Sequence, residues 1–114
     1  MINNKVAQVN LEYGSPTVAE ALQKMKNALT TFKGQGYKAV IIIHGYGSTG
    51  VGGAIKAAVR KCLGESAMRG IVRMFVGGED WTNNKRTAIA FCKMLENYER
   101  DICSNFGVTV VVLR

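Results

Sequence analysis

Apolar positions recur along this chain in two rhythms. Between residues 6 and 11 they alternate loosely with polar ones, the period of two that suits a half-buried strand, and Gly14-Ser15-Pro16 then makes a turn. Thr17 with Glu20 three positions on has the form of a capping box, after which Val18, Leu22, Met25, Leu29 and Phe32 follow at spacings of three and four. This pattern predicts an amphipathic helix over residues 18–32, stopped by Gly34 and Gly36. The apolar run Val40-Ile41-Ile42-Ile43 reads as a second, buried strand. It is cut off by five glycines within nine positions, and a second helix follows over residues 54–63, with Ile55, Val59, Cys62 and Leu63 on one face and Lys56, Arg60 and Lys61 on the other.

A third strand is expected over residues 71–76, where Arg69 and Arg73 alternate with Val72, Met74 and Val76. Gly77-Gly78-Glu79-Asp80-Trp81 then reads as a loop. Asn83 or Asn84 is the expected cap of a third helix running to about residue 102, with Ala88, Phe91, Cys92, Leu95, Tyr98 and Ile102 inward. Gly107 precedes a last strand, residues 108–113, apolar almost throughout and so central or covered on both faces. The order is β-α-β-α-β-α-β: an α/β two-layer sandwich of about four strands, the first two parallel. Ligands of such sheets sit beyond the carboxyl ends of parallel strands. The segments after the first two strands, residues 10–14 and 44–50, should therefore be neighbours and form the candidate site.

Composition narrows the class. A chain of 114 residues with 47% hydrophobic content is one ordinary globular domain, and a net charge of +7 favours an acidic partner, DNA or RNA ahead of an anionic membrane surface. Met1-Ile2-Asn3-Asn4-Lys5-Val6 lacks the apolar stretch of a signal peptide, and the longest apolar run, residues 39–43, is too short to span a bilayer, so the expectation is a cytoplasmic protein with no membrane partner. Three cysteines without a C-x-x-C pair indicate neither a disulfide framework nor zinc, and Cys62, Cys92 and Cys103 read as core residues. Met25, Met68, Met74 and Met94 read as core or filler, and Trp81 as a loop aromatic packed on the core rather than a base-stacking platform. A single histidine excludes any mechanism that needs two imidazoles within one subunit.

The glycine-rich segment carries the chemistry. Gly45-Tyr46-Gly47-Ser48-Thr49-Gly50, with Gly52 and Gly53 at the helix start, offers backbone N–H groups that a ligand reaches without meeting a Cβ, and the helix N-terminus adds about half a positive charge. That combination suits phosphate. His44 stands beside it, and Lys56, Arg60, Lys61, Arg69 and Arg73 surround it in sequence, with Glu65 the one acid between Lys56 and Arg73. Gly45-x-Gly47-x-x-Gly50 also fits a dinucleotide fingerprint, yet too little chain follows for a second mononucleotide half. A Walker A loop is excluded because Val51-Gly52 follows Gly50, and a nucleophile elbow because no G-x-S-x-G occurs.

Ile43-His44-Gly45-Tyr46-Gly47-Ser48-Thr49-Gly50 followed by a helix resembles the H-G-x-G loop of the Smr (small MutS-related) domain. Residues 16–22 resemble the start of that domain's first helix, and residues 107–113 its closing strand. The resemblance implies a mixed four-stranded sheet of β-α-β-α-β-β order, similar to the C-terminal domain of translation initiation factor three, with residues 80–106 as a helical insertion. It implies nucleic-acid binding and, in some members, endonucleolytic cleavage of DNA or RNA. Where many members have L-D-x-H, this chain has Val9-Asn10-Leu11-Glu12. Asn10 does no acid-base work and Glu12 offers only a carboxylate, so phosphate binding carries over better than cleavage. If the chain cuts, His44 with Glu12 is the expected catalytic pair, and a divalent metal is the cofactor to look for. The alternatives are a small-molecule phosphate or nucleotide binder and a non-catalytic regulatory module.

Overall fold

Every position of β4 (Val108–Leu113) is buried, and β2 (Ala39–Ile43) is buried except for a half-buried Ile43. Strands apolar on both faces belong in the middle of a sheet, and these two are its centre. β1 (Val6–Asn10) buries Ala7 and Val9 and exposes Gln8 and Asn10, as an edge strand with one covered face does. With β3 (Val72–Gly77) the strand order is β1-β2-β4-β3, β1 and β2 parallel, β4 antiparallel to both β2 and β3. The structure is a computed structural model that describes residues 5–14, 16–45 and 51–114. Among them no helix is long and apolar enough to cross a membrane.

The period of two in the strands splits the core between the faces. α1 (Val18–Gly34) opens with the expected capping box, Thr17 and Glu20 exchanging hydrogen bonds of 2.8 and 3.1 Å. α1 and α2 (Val51–Leu63) bring Ala21, Met25, Leu29, Ile55 and Val59 onto Val9, Val40, Ile42, Val111 and Leu113. The opposite face, with Ile41, Val76, Val110 and Val112, is covered by Trp81, Ala88, Cys92, Leu95 and Ile102. The α/β class and the mixed four-stranded sheet are as expected. The two-layer description fits α1, α2 and the sheet, and residues 80–106 add a cover on the other face. Trp81 is fully buried there, a core residue.

The third helix differs from its sequence reading. α3 (Trp81–Phe91) starts two residues before Asn83, after Asp80, whose side chain makes no cap bond. It ends at Cys92, where the backbone is extended (φ −145°, ψ 93°), and a 3-10 turn (Lys93–Tyr98) and a short α4 (Glu99–Ile102) complete the segment. An unbroken helix of 20 residues would be about 30 Å long, whereas a six-residue strand spans only about 20 Å. The break lets Ala88, Cys92, Leu95 and Ile102 all stay on the sheet. It also turns Phe91 and Met94 outward, 44% and 41% exposed, where the regular spacing had predicted a buried Phe91 and Met94 as core or filler.

Candidate nucleic-acid interface

The register carries three strand exits and one strand start to the same rim of the sheet. Asn10 lies opposite Ile43, Ile43 opposite Val108, and Gly77 opposite Thr109. Beyond the strands the ladder continues: the Leu11 N–H donates to the Ile43 carbonyl at 2.8 Å, and the N–H groups of His44 and Gly45 both donate to the Gly107 carbonyl, at 2.9 and 3.0 Å. The segments after β1 and β2 are therefore neighbours, as the parallel pairing requires.

His44 is fully buried. It follows Ile42 by two and so points to the α1 and α2 face, as does Thr109, two before Val111. Its Nδ1 lies 2.5 Å from the Gly45 carbonyl oxygen and its Nε2 lies 2.8 Å from Thr109 Oγ1. A carbonyl only accepts, so Nδ1 carries the proton and donates, while Nε2 accepts from the Thr109 hydroxyl. Burial holds the ring pKa below its ordinary value; the Gly45 bond opposes this, and the charges of Arg60 and Lys56 lower it further against Glu79. The ring is thus a neutral tie between β2 and β4.

Glu12, exposed, lies against Gly45. Gly45 has φ +71°, a backbone conformation that favours glycine, and a Cβ built on it would come 2.6 Å from the Glu12 carboxyl carbon, the movable end of an exposed side chain. Asn10 turns the chain after β1: its Oδ1 accepts from the N–H groups of Glu12 and Tyr13, at 2.8 and 3.2 Å. Lys24 Nζ donates to the Asn10 carbonyl at 2.8 Å, which ties this turn to α1.

Lys56 and Arg60, one turn apart on α2, both meet Glu79. Arg60 donates from both terminal nitrogens to the two carboxylate oxygens at 2.7 Å, and Lys56 Nζ is 3.0 Å from Oε2. The Arg60 guanidinium is the main cause that draws the Glu79 carboxyl down to about 2, burial opposing and Lys56 assisting. The fork fixes α2 to the exit of β3. Gly78, next to Glu79, is needed for close approach: a Cβ there would lie 2.6 Å from the Ile102 carbonyl oxygen.

With the geometry in place, comparison with known proteins is specific: the Smr domain family matches residues 14–114. The chain belongs to the Smr domain family. Its structure is similar to the crystal structure of the Smr domain of Thermus thermophilus MutS2, at 26% identity and a TM-score of 0.60, over 95% of this chain and 98% of that one. No curated protein matches. Smr is a family associated with nucleic-acid binding and nicking.

Of the residues expected to serve this Smr site, the rim gathers Glu12, His44, Gly45, Lys56 and Arg60. Tyr46, Gly47, Ser48, Thr49 and Gly50 lie outside the described residues, and Gly52 and Gly53 fall in the first turn of α2. Arg73 is not at the rim. It is exposed near the start of β3, four residues before Gly77 and so about 13 Å along the strand, with its guanidinium 4.6 Å from the Phe91 ring centroid. Lys61 and Arg69 are exposed, on α2 and in the turn before β3. Among the described residues no group of three or more His, Cys, Asp or Glu is arranged to hold a metal ion, and both nitrogens of His44 are engaged.

Two partners escaped the sequence reading. Glu79 reads from the sequence only as a loop residue, and Thr109 only as part of the last strand. Thr109 carries a usable signal: a polar residue in the apolar run 108–113 must find a buried partner, and the lone histidine ends the other apolar run.

Proposed function

We propose that this Smr domain binds nucleic acid through phosphate contacts made by the His44-Gly45-Tyr46-Gly47 loop and the start of α2. What supports the reading is the rim itself: in a chain of this family, the rim that holds His44 and Gly45 also carries Lys56 and Arg60 of the thirteen-residue helix α2. A helix N-terminus presents free N–H groups to an anion. The fixed charge is smaller than the count of cations suggests. Lys56 and Arg60 share Glu79, so this trio contributes a net +1, and an incoming phosphate competes with a carboxylate for Lys56.

Cleavage asks more of the site than binding does. For His44 to take a proton from water or a ribose hydroxyl, Nε2 must release the Thr109 hydroxyl and reach solvent. Glu12, exposed beside Gly45, is the carboxylate available to orient a nucleophile there. The test is a cleavage assay on structured and single-stranded DNA and RNA, with and without divalent metal. General acid-base help is worth about 100- to 10,000-fold, so His44→Ala should slow a genuine reaction by that factor, well beyond the loss of binding that follows from freeing the start of the loop. A parent that cuts nothing removes the nuclease half and leaves the binder.

A second reading, a small-molecule phosphate or nucleotide binder, has one observation in its favour. A cleft of about 430 Å³ lies between Gln8, Ile41 and Ile43 on one side and Arg100, Asp101 and Asn105 on the other. Its volume suits a nucleotide. A thermal-shift panel separates the readings: a mononucleotide at about 100 times its dissociation constant adds roughly 2.7 kcal/mol of stability, whereas the nucleic-acid reading expects the shift only with polymers.

A further inference from the structure

Two aromatic side chains are exposed at the rim, Tyr13 at 83% and Phe106 at 53%. Single exposed apolar residues need no explanation. These two share a location. Tyr13 comes three residues after Asn10, and Phe106 two residues before Val108; Asn10 and Val108 both lie opposite Ile43, one on each side of β2. Strands are about 4.8 Å apart, so the two departures are about 10 Å from each other, with His44 and Gly45 between them. The Asn10 side chain turns the chain so that Tyr13 projects, and Gly14, at φ +82°, carries it back. On the other side Lys56 Nζ lies 5.2 Å from the Phe106 ring centroid, a cation on the same apolar surface.

An exposed aromatic ring at this rim gains nothing from an intact duplex, whose base faces are already stacked. An unpaired strand offers those faces, and every base has one. We propose that Tyr13 and Phe106 are base-stacking platforms, and that the ligand taken at this rim is an unpaired nucleic-acid segment crossing the His44-Gly45 corner between them. The proposal rests on the phosphate-binding reading for its backbone contacts and adds the class of strand. Lys56 joins the two parts, since its ammonium faces both the Phe106 ring and Glu79.

The experiment measures binding by fluorescence anisotropy at one fixed low salt, using labelled oligothymidylate, oligouridylate and a blunt DNA duplex of about 15 units each, near the upper end of known single-strand site sizes. Proteins are the parent, Tyr13→Ala, Tyr13→Phe and Phe106→Ala, with far-UV circular dichroism to check that each is folded. Tyr13→Ala and Phe106→Ala should each weaken single-strand binding about 5- to 150-fold, Tyr13→Phe should stay within about twofold, and duplex binding should hardly change. Comparing thymidylate with uridylate reads the preference for DNA or RNA. If Tyr13→Ala binds the single strands as tightly as the parent, or loses strand and duplex by the same factor, the stacking proposal is overturned while phosphate binding stands. If the parent binds none of the three, the phosphate-binding reading itself fails and this proposal with it.

Discussion

The Thr109 hydroxyl lies 2.8 Å from His44 Nε2, so the chain's single histidine is fastened across the sheet to the strand that closes the fold. Both residues are fully buried. The bond joins the segment that enters the glycine loop to β4, and with the Gly107 carbonyl it fixes where that loop begins.

Replacing Thr109 by valine keeps the shape and removes the donor. His44 Nε2 is then buried without a partner, which costs about 1–3 kcal/mol. Urea denaturation of Thr109→Val should show a loss of that size. A variant as stable as the parent would mean that the ring nitrogen finds water or another partner.

The histidine should titrate low. Its folded pKa is lowered chiefly by burial, so the unfolded chain binds a proton more readily. Stability from this group is fully present above about 6.5 and falls as the pH drops toward the folded value. With one histidine in the chain, its NMR signal is assigned without mutants. A midpoint at or above 6.5 would contradict the buried, neutral ring.

Glu79 titrates in the same sense by a different cause. Its carboxyl is drawn from 4.5 to about 2, mainly by Arg60, so its stabilising contribution is present above 4.5 and is lost as the pH falls toward 2. Glu79→Gln should destabilise the protein by about 1–3 kcal/mol at neutral pH, discounted for partial exposure. The gap from the parent should narrow in acid. Thermal melts from pH 7 down to pH 3 measure it, and a gap that does not depend on pH would argue against the ion pair.

The parts of the fold written in local pattern were legible. The Thr17 and Glu20 capping box, the period of α1 and the apolar run of β4 each have one physical solution, and the structure has it. What local pattern does not contain is length matching across layers: nothing near Cys92 announces that a helix must break to stay on strands this short. Of the site, the adjacency of the segments after β1 and β2 was legible, because parallel pairing dictates it. Of its side-chain partnerships only that of Thr109 left a trace, a polar residue in an apolar run, since Thr109 and Glu79 lie 65 and 19 residues from His44 and Arg60. Tyr13 and Phe106 were missed for a related reason. Exposure at a shared rim is a property of strand order, whereas Trp81, the conspicuous aromatic in the sequence, is in the core.

The claim that phosphate contacts at the loop and α2 hold nucleic acid is tested most directly by the salt dependence of binding. Contact with about four to six phosphates of a duplex predicts a slope of log affinity on log salt of roughly −4 to −5. Gly47→Asp, which puts a carboxylate in the loop, should weaken binding at every salt concentration. A flat titration, or no binding to DNA or RNA at low salt, contradicts the account.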